Sequence, residues 1–459
     1  MFKTNKIISS ILISVGLATV ATSVSADPWA VSPGTKARAM GNAFVAIAND
    51  PSAAWHNPAG LYQMNGSNVT IEVSGAPSFD HPSDPAESLV TFNNIDMPDG
   101  TTETFYATSW GEMAADNQSI FASYNEGDGQ NSGFSVYYYS PYFISMPVVA
   151  KINDASEVLG KIEEEVSILG AGWSSVVWNT PEQAWFSSLH YGLTLEIVMT
   201  DYGSSEIDFY GMSTNGGIDR VDLDDSNEAL SGSVGVLSTI YKGDSRQVFS
   251  PTVKFGAVYR LKAISLDSGS DIEMMDRNRD DVTLNSDDFF NKKPTSWDMG
   301  LSASTLLGQS VHYGLFSAEL SFQVGETQFD SVVTNMNYER SSIGASIRWA
   351  PIDSLVKQVE LRVGSYSSES DSIYNAAIIE RNQGRELPTG LIYPNVNATS
   401  WGMQVAFDGG IALEFAQEMR TLKNTMVCID SDNDSWCDKE SDNQSLDETF
   451  TSFAFRYNW

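Results

Sequence analysis

The loop between the two cysteines, Cys428 and Cys437, has residue types and spacing that suit a metal ion. Its carboxylates stand mostly at alternate positions: Asp430, Asp432, Asp434 and Asp438. A curled loop can turn such carboxylates inward, and Ca²⁺ accepts roughly 6–8 oxygen ligands. A disulfide between the cysteines would close the loop beforehand and lower the ordering cost of binding. The spacing predicts a structural calcium site, with a merely solvated acidic loop as the alternative.

The other acidic cluster and the histidines offer weaker candidates for chemistry. Residues 276–287 carry oxygen ligands at alternate positions, but Asp281 stands where a calcium loop needs glycine. The histidines are scattered: His56, His81, His190 and His312. No Gly-x-Ser-x-Gly elbow and no His-Glu-x-x-His helix is present. We predict no catalytic residue, no required cofactor and a non-enzyme, with a serine–histidine pair assembled across strands as the enzymatic alternative. His56 is expected to bond a turn carbonyl.

The chain is strongly acidic, with 26 Lys and Arg against 59 Asp and Glu and a net charge of −33. A protein that binds nucleic acid needs a basic face toward the phosphates. The composition therefore excludes nucleic acid as a partner. We interpret the excess carboxylates as a solvated acidic surface.

Residues 1–26 have the pattern of a secretory signal peptide. Lys3 and Lys6 precede an apolar run over 7–20, and residues 24–26 form a small-residue cleavage site. The run is short for a spanning helix, and no later stretch reaches the roughly 18 apolar residues that such a helix needs. We therefore expect an exported protein, in which an even number of cysteines favours one disulfide.

Residues 34–62 are crowded with small side chains and precede the first strand pattern. They contain an Asp-Pro turn and a second turn made of Asn57, Pro58, Ala59 and Gly60. The Asn57 side chain can bond backbone groups, and Pro58 fixes its own φ angle. The stretch predicts a compact plug whose shape is held by the second turn.

The same stretch resembles the N-terminal part of the FadL/TodX-type outer-membrane transporters of hydrophobic compounds. The matching segments are 39–44, 49–54 and 57–61, the last of which carries an Asn-Pro-Ala motif. The resemblance implies a hatch with a gating role for Asn57, Pro58, Ala59 and Gly60, inside a 14-stranded barrel. Secretion barrels of the PorV kind and TraF-like outer-membrane proteins carry a similar pattern, so the motif indicates a superfamily rather than a solute.

Alternating apolar and polar residues predict β-strands along the rest of the chain. In the first window, Val69, Ile71 and Val73 share one side, and polar residues occupy the other. Further windows are 119–125, 133–139, 166–173, 191–200, 233–241, 253–262, 297–306, 314–324, 342–349, 358–366, 400–407 and 411–417. The last two flank Asp408-Gly409-Gly410, which predicts a tight hairpin.

The final residues resemble the terminal strand that outer-membrane proteins present to the barrel-assembly machinery. Four aromatic residues alternate along one face: Phe453, Phe455, Tyr457 and Trp459. Long polar segments at 76–101, 266–293, 367–397 and 421–448 alternate with short turns, as in bacterial outer-membrane barrels.

These patterns together predict an all-β fold: a transmembrane antiparallel β-barrel of 14 strands with a small N-terminal hatch inside its lumen. The expected limits are 1–26 for the signal peptide, 27–66 for the hatch and 67–459 for the barrel with long outer loops. A soluble β-sandwich is the alternative fold.

The resemblance implies passive uptake of hydrophobic small molecules, of the long-chain fatty acid or aromatic hydrocarbon type, across the outer membrane of a Gram-negative bacterium. Expected partners are the hydrophobic ligand, outer-membrane lipid and lipopolysaccharide, and the barrel-assembly machinery during biogenesis. The acidic segment 76–101 departs from the apolar groove that would collect fatty acids. The alternative function is a PorV-like or TraF-like platform for binding or assembly in protein secretion or conjugation.

Overall fold

In the computed structural model, almost all regular structure is β-strand, which confirms the predicted class. The structure describes residues 32–75, 89–96, 102–108, 118–152, 155–180, 182–204, 207–208, 218–221, 225–244, 247–266, 271–276, 281–285, 293–330, 335–352, 354–370, 395–423, 428–429, 439–440 and 445–459. No helix within these ranges is long and apolar enough to cross a membrane.

The strands follow one another closely along the chain. They are β1 (Asn65–Gly75), β2 (Leu89–Asp96), β3 (Thr102–Thr108), β4 (Gln118–Asp128), β5 (Ser132–Ile152), β6 (Ala155–Asn179), β7 (Trp185–Ser204), β8 (Ile207–Asp208), β9 (Ile218–Val221), β10 (Asp225–Tyr241), β11 (Thr252–Arg260), β12 (Ile264–Ser265), β13 (Asp271–Asp276), β14 (Asp281–Asn285), β15 (Thr295–Ser310), β16 (Gly314–Asp330), β17 (Asn335–Ala350), β18 (Val356–Ser370), β19 (Asn395–Phe407), β20 (Ile411–Lys423), β21 (Cys428–Ile429), β22 (Lys439–Glu440) and β23 (Ser445–Asn458).

Within the described residues, 14 of these strands form the wall of a closed antiparallel barrel: β1, β4, β5, β6, β7, β10, β11, β15, β16, β17, β18, β19, β20 and β23. Each pairs with the next wall strand along the chain. The first and last close the ring, with Ile71 of β1 opposite Phe455 of β23. Closure leaves no free sheet edge in the wall. Every strand window that the sequence predicts overlaps a wall strand.

Alternation along each wall strand separates an apolar outer face from a polar inner face, because successive side chains of a strand point to opposite sides. In β1, Ile71 and Val73 are 51% and 47% exposed on the outside, whereas Glu72 between them is 2% exposed. A soluble sandwich would bury the apolar side. The observed orientation is the one that lipid around a barrel requires.

The two ends of the barrel differ in their connections. One end, here called the short-turn end, has tight links such as 129–131, 311–313 and 408–410. In the last of these, Gly409 and Gly410 take φ angles of 85° and 84°, which confirms the predicted hairpin. The opposite, long-loop end carries the longer connections. Exposed aromatic residues lie around the short-turn end: Trp185, Phe186, Phe249, Tyr313, Trp349 and Trp459. Such a belt is typical of a membrane interface.

Several strands lie outside the wall. Strands β8, β9, β13 and β14 form a separate four-stranded sheet, and β2 pairs with β3. The predicted long polar segments 76–101 and 266–293 therefore contain strands that the sequence did not predict. Strands β8, β9, β13 and β14 have only two to six residues, which is too few for alternation to be recognised against the polar background.

The chain before β1 forms a plug inside the barrel, defined here as residues 32–64. It contains two short helices, Thr35–Ala39 and Ala53–His56, and a 3₁₀ helix, Pro58–Gln63. Proline suits the first position of this last helix because its φ is already helical. The first helix contacts β18, β19 and β20, and the 3₁₀ helix contacts β4 to β7 and β10. Contacts to opposite sides of the wall place the plug in the lumen, as predicted. The limits at 26, 27 and 66 stay predictions.

Candidate functional site

The Asn57 side chain ties the plug together and joins it to the wall. Its amide nitrogen donates to the backbone oxygens of Val45 in the plug and Val236 in β10, both at 2.9 Å. Its oxygen accepts from the backbone N–H of Ala59 at 3.1 Å. Asn57 is fully buried. The amide therefore supplies hydrogen bonds to buried backbone groups that would otherwise need water as a partner.

Glycines on the inner face of the wall let the plug backbone approach closely. Those that face plug atoms are Gly127, Gly133, Gly172, Gly192, Gly235, Gly256, Gly300, Gly344, Gly364 and Gly402. A Cβ atom on Gly192 would lie within 3.0 Å of the Pro58 backbone, and one on Gly235 within 3.0 Å of the Asn57 side-chain oxygen. Larger residues at these positions would push the plug away from the wall. We call this set of glycines the seat.

Wall side chains accept hydrogen bonds from backbone N–H groups of the plug. The Glu72 carboxylate accepts from the N–H groups of Gly34 and Thr35, at 3.1 and 2.6 Å. These groups lie at the start of the first helix, where backbone N–H groups lack intrahelical acceptors. Gln323 accepts from the N–H groups of residues 44–45, both at 2.9 Å. The plug thus depends on the wall for its hydrogen bonds.

Arg260 of β11 holds the end of the second helix. Its guanidinium donates to the backbone oxygens of Trp55 at 3.2 Å and His56 at 3.0 Å. It also pairs with Asp298 of β15 at 2.5 Å, and Asp298 lies 3.2 Å from Arg340. A cation at the C-terminal end of a helix interacts favourably with its unpaired carbonyls. Arg260 therefore links the plug to a buried ionic group of the wall.

A second ionic group joins the plug to the wall nearer the short-turn end. Lys36 of the plug lies 3.5 Å from Glu360, which also accepts from Arg362 at 3.0 Å. Asp50 of the plug lies 3.8 Å from Arg456 of β23. Truncating one partner of a buried pair leaves the other charge uncompensated, which is strongly destabilising. These pairs oppose any departure of the plug.

His56 is the buried titratable ring of the plug. Its Nε2 atom lies 2.8 Å from the carbonyl oxygen of Pro33, which confirms the expected bond to a backbone carbonyl. The ring meets Phe44 edge-on, with 5.2 Å between ring centroids. Burial lowers the pKa of His56 to about 4 because it disfavours the charged imidazolium. The ring is therefore neutral at neutral pH, and Nε2–H donates to Pro33.

A small polar cavity lies against the plug at Trp55 and His56. Its charged lining consists of three cations and one anion: Arg260, Lys293, Arg340 and Asp298. Its volume is about 40 Å³. That is room for roughly three water molecules. A larger solute would enter only if the plug or its neighbours moved.

Trp55, which lines this cavity, also contacts a part of the wall whose strand pairing is irregular. The pairing of β5 with β6 shifts between Tyr139 and Tyr142, around Ser140 and Pro141. Proline has no N–H to donate, and a bulge locally disrupts the ladder. Tyr139 is buried and meets Trp55 of the plug edge-on, with 5.0 Å between ring centroids. The plug therefore touches the wall next to one of its interrupted ladders.

The structure brings together one of the two predicted sets of site residues. Asn57, Pro58, Ala59 and Gly60 meet at the contact between plug and wall, and their gating role stays a prediction. The predicted calcium ligands, Asp430, Asp432, Asp434 and Asp438, lie outside the described residues, as does Cys437, the predicted partner of Cys428. Among the residues that are described, no group of three or more His, Cys, Asp or Glu side chains is arranged to hold a metal ion. His190 stacks on Tyr62 of the plug at 3.4 Å between ring centroids, away from His56.

The sequence interpretation missed the buried charges of the lumen. Asp298 stands between Trp297 and Met299, so its inward direction could have been inferred from alternation. Its partner could not, since Arg260 lies 38 residues earlier on another strand. Alternation shows which way a side chain points but not which side chains meet across a barrel.

Comparisons with known proteins support the fold. No family model and no curated protein sequence matches the chain. The toluene transporter TodX of Pseudomonas putida aligns with a TM-score of 0.53 at 12% identity, over 93% of this chain and 99% of that chain. The toluene transporter TbuX of Ralstonia pickettii aligns at 0.49 and 11% identity over 93% and 98% of the two chains. A FadL homologue from Pseudomonas aeruginosa aligns at 0.45 and 13% identity over 92% and 98%. The chain therefore shares the fold of TodX, and the resemblance seen in the plug motif is confirmed at that level.

Proposed function

We propose that this protein is an outer-membrane channel for the passive uptake of small hydrophobic molecules into a Gram-negative cell. One observation carries the proposal: the lumen holds a plug that is seated directly on the wall glycines. A barrel filled in this way is not an open aqueous pore. A solute has to pass beside the plug, which suits molecules that water-filled porins serve poorly.

The outer surface supports a membrane location. Large apolar side chains are exposed around the wall, for example Leu195, Leu320 and Leu361, each between 54% and 59% exposed. Exposed apolar area of this extent is stable when lipid covers it. The aromatic belt at the short-turn end supports the same placement.

TodX, whose fold this chain shares, is a toluene transporter, which supports hydrophobic compounds as the general solute class. The charges that line the cavity beside the plug indicate a narrower class of solute. Its three cations, Arg260, Lys293 and Arg340, outnumber the two carboxylates that pair with them, Asp298 in the lining and Glu196 beside Lys293. A positive, partly buried cavity favours an anionic head group. We therefore propose amphiphiles that carry a carboxylate, of the fatty-acid type, ahead of plain hydrocarbons.

The proposed path runs from the long-loop end to the cavity and then sideways through the wall. Ser140 and Pro141 interrupt the pairing of β5 with β6, so fewer ladder bonds need to be broken there than in an uninterrupted stretch. An exit into the bilayer spares an apolar tail any passage through water. The plug has to shift because Trp55 lies against Tyr139 at this place.

A bound amphiphile would test this function directly. The barrel is purified in mild detergent from cells grown with decanoate, and its extracted ligands are identified by mass spectrometry against a porin purified in parallel. We expect decanoate or a related acid to be enriched on this barrel alone. Equal ligand content in the two proteins would contradict the proposal.

A second candidate is a platform for a protein partner, which one observation favours. Strands β5 and β6 have 21 and 25 residues, whereas a strand that spans a membrane needs about 9–11. Folded surface beyond the bilayer is suited to binding a protein. A stable protein partner that co-purifies with a ligand-free barrel would favour this function over uptake.

A further inference from the structure

The hairpins at the short-turn end differ in the residues at their tips. In the described part of the chain, six hairpins join wall strands there. Four that follow one another around the wall carry large exposed apolar residues: β6–β7, β10–β11, β15–β16 and β17–β18. One such residue from each is Trp185, Phe249, Val311 and Leu355, at 64%, 73%, 80% and 72% exposure. We call these four hairpins the apolar arc.

The other two hairpins, β4–β5 and β19–β20, have polar tips and are called the polar arc. Their tips read Gly-Gln-Asn at 129–131 and Asp-Gly-Gly at 408–410. The Asp128 carboxylate accepts from the N–H groups of residues 130, 131 and 132 at 2.9, 2.6 and 3.0 Å. Asp408 lies 3.7 Å from Lys357, and both side chains are at least half exposed. Groups of this kind are stable in water.

Backbone conformation in the apolar arc breaks the alternation of the strands. Phe186 and Phe249 take φ angles of 49° and 61°, which bulky residues rarely adopt. As a result the adjacent Trp185 and Phe186 are both exposed, whereas Ser187 and Ser188 after them are both buried. A regular strand would turn one of the two aromatic rings inward. The chain thus keeps an unfavourable conformation that exposes apolar rings, which brings no advantage in water.

Neighbouring hairpins of the apolar arc are joined by backbone hydrogen bonds. The N–H of Lys242 donates to the oxygen of Ala184 at 2.7 Å, which connects β10–β11 to β6–β7. The N–H of Phe249 donates to the oxygen of Leu306 at 2.9 Å, which connects β10–β11 to β15. Connected hairpins form one ledge and cannot fold back separately to bury their tips. Something outside the chain has to cover them.

The extent and position of the apolar arc favour lipid as its cover. The arc includes eight adjacent wall strands, which at a spacing of about 4.8 Å extend over roughly 34 Å of convex perimeter. A fluid bilayer follows such a curved rim, whereas a protein partner usually covers a compact patch of about 800 Å². The same strands also carry lipid-facing residues of the wall, such as Leu195, Leu320 and Leu361. The arc therefore continues a surface that lipid already covers.

We infer that the rim of the short-turn end has a lipid side and a water side. The tips of the apolar arc lie in the head-group region of the adjacent phospholipid leaflet, and the tips of the polar arc stay in water. One side of the barrel is thereby anchored more deeply than the other. The inference requires the membrane location of the barrel but not the transport of any solute.

The experiment measures the depth of single nitroxide labels on the full-length barrel in nanodiscs of phosphatidylethanolamine and phosphatidylglycerol. Val311→Cys and Leu355→Cys place labels on the apolar arc, and the matched controls Gln130→Cys and Asp408→Cys place them on the polar arc. Labelled wild type gives the background from the native cysteines, and heat-modifiability gels confirm folding. Relaxation by oxygen reports contact with lipid, and relaxation by a water-soluble nickel complex reports contact with water.

Labels at 311 and 355 should lie about 5–10 Å on the lipid side of the head-group level, the depth at which interfacial apolar groups insert. Labels at 130 and 408 should be in water. Water contact of the arc labels in nanodiscs would overturn the inference, and their protection only in isolated outer membranes would assign the arc to a protein partner. Lipid contact of all four labels would overturn the two-sided rim. Because no solute is present, failure here leaves the uptake proposal unaffected.

Discussion

The side-chain amide nitrogen of Asn57 in the plug lies 2.9 Å from the backbone oxygen of Val236 in wall strand β10. The two residues are 179 positions apart in the sequence. This bond attaches the plug to the wall, and the bond from the same amide to Val45 stabilises the shape of the plug. The plug can leave its place only when water replaces these bonds.

Replacing Asn57 should loosen the plug. Asn57→Ala leaves the buried carbonyls of Val45 and Val236 without their donor, at a cost of about 1–3 kcal/mol each. We expect faster entry of small polar dyes into cells that carry the variant. Asn57→Asp, which lacks the amide donors at nearly the same size, should behave alike. Normal dye exclusion by both variants, with correct barrel assembly on heat-modifiability gels, would show that Asn57 does not hold the plug.

A larger residue at a seat glycine is expected to displace the plug. Gly192→Val places side-chain atoms where the Pro58 backbone lies, so the plug should be displaced and dye entry should rise. Gly308→Val on β15 is the matched control, because a Cβ atom there meets nothing within 4 Å. The control should exclude dye like the wild type. If both variants admit dye equally, general damage to the barrel is responsible rather than the seat.

Protonation of His56 at low pH is expected to loosen the plug. Its pKa is about 4 in the seated plug because of burial, and a solvated histidine has a pKa of about 6.5. A released plug therefore binds a proton between these pH values and the seated plug does not. The stability of the seated state is complete above about pH 6.5 and falls by up to about 3 kcal/mol as the pH drops toward 4. Conductance across planar bilayers should rise on acidification from pH 7.5 to 5.

The control for this prediction is His56→Gln, whose amide can still donate to Pro33 but does not titrate. Its conductance should depend much less on pH. An equal acid response in this variant would show that His56 is not responsible for the pH dependence.

Much of the fold follows from the sequence because a wall strand has a two-residue period that any single strand displays. In β1 the alternation of Ile71, Glu72 and Val73 was sufficient to predict both a strand and its two faces. The strands of the separate sheet were missed because they have only two to six residues. Asp281, for instance, stands at the glycine position of the calcium pattern and is the first residue of β14.

The candidate site was predictable only where its contacts are local. The bond from Ala59 to Asn57 spans two residues and follows from the Asn-Pro turn. The pairing of Lys293 with Glu196 spans 97 residues and depends on the closure of the barrel. Strand register and barrel diameter determine which side chains of distant strands meet in the lumen. The periodicity of a single strand gives no information about either.

For the acidic loop next to β21, a disulfide and a bound calcium ion remain predictions. Mass spectrometry of the unreduced protein should find Cys428 linked to Cys437. Calcium should then protect the loop from protease, because Asp430, Asp432, Asp434 and Asp438 supply oxygen ligands. Magnesium at the same concentration is the control, since it keeps most of its own water. Free thiols, or cleavage that ignores calcium, would contradict the prediction.

Uptake by intact cells tests the central claim most directly. A strain that lacks the protein is complemented with the wild type or with an empty vector, and entry of radiolabelled decanoate is followed over the first minutes. We predict several-fold faster entry with the wild type than without the protein, and a smaller difference for decanol. Decanoate entry that is the same with and without the protein, when the complemented strain carries the assembled barrel in its membrane, would contradict the account.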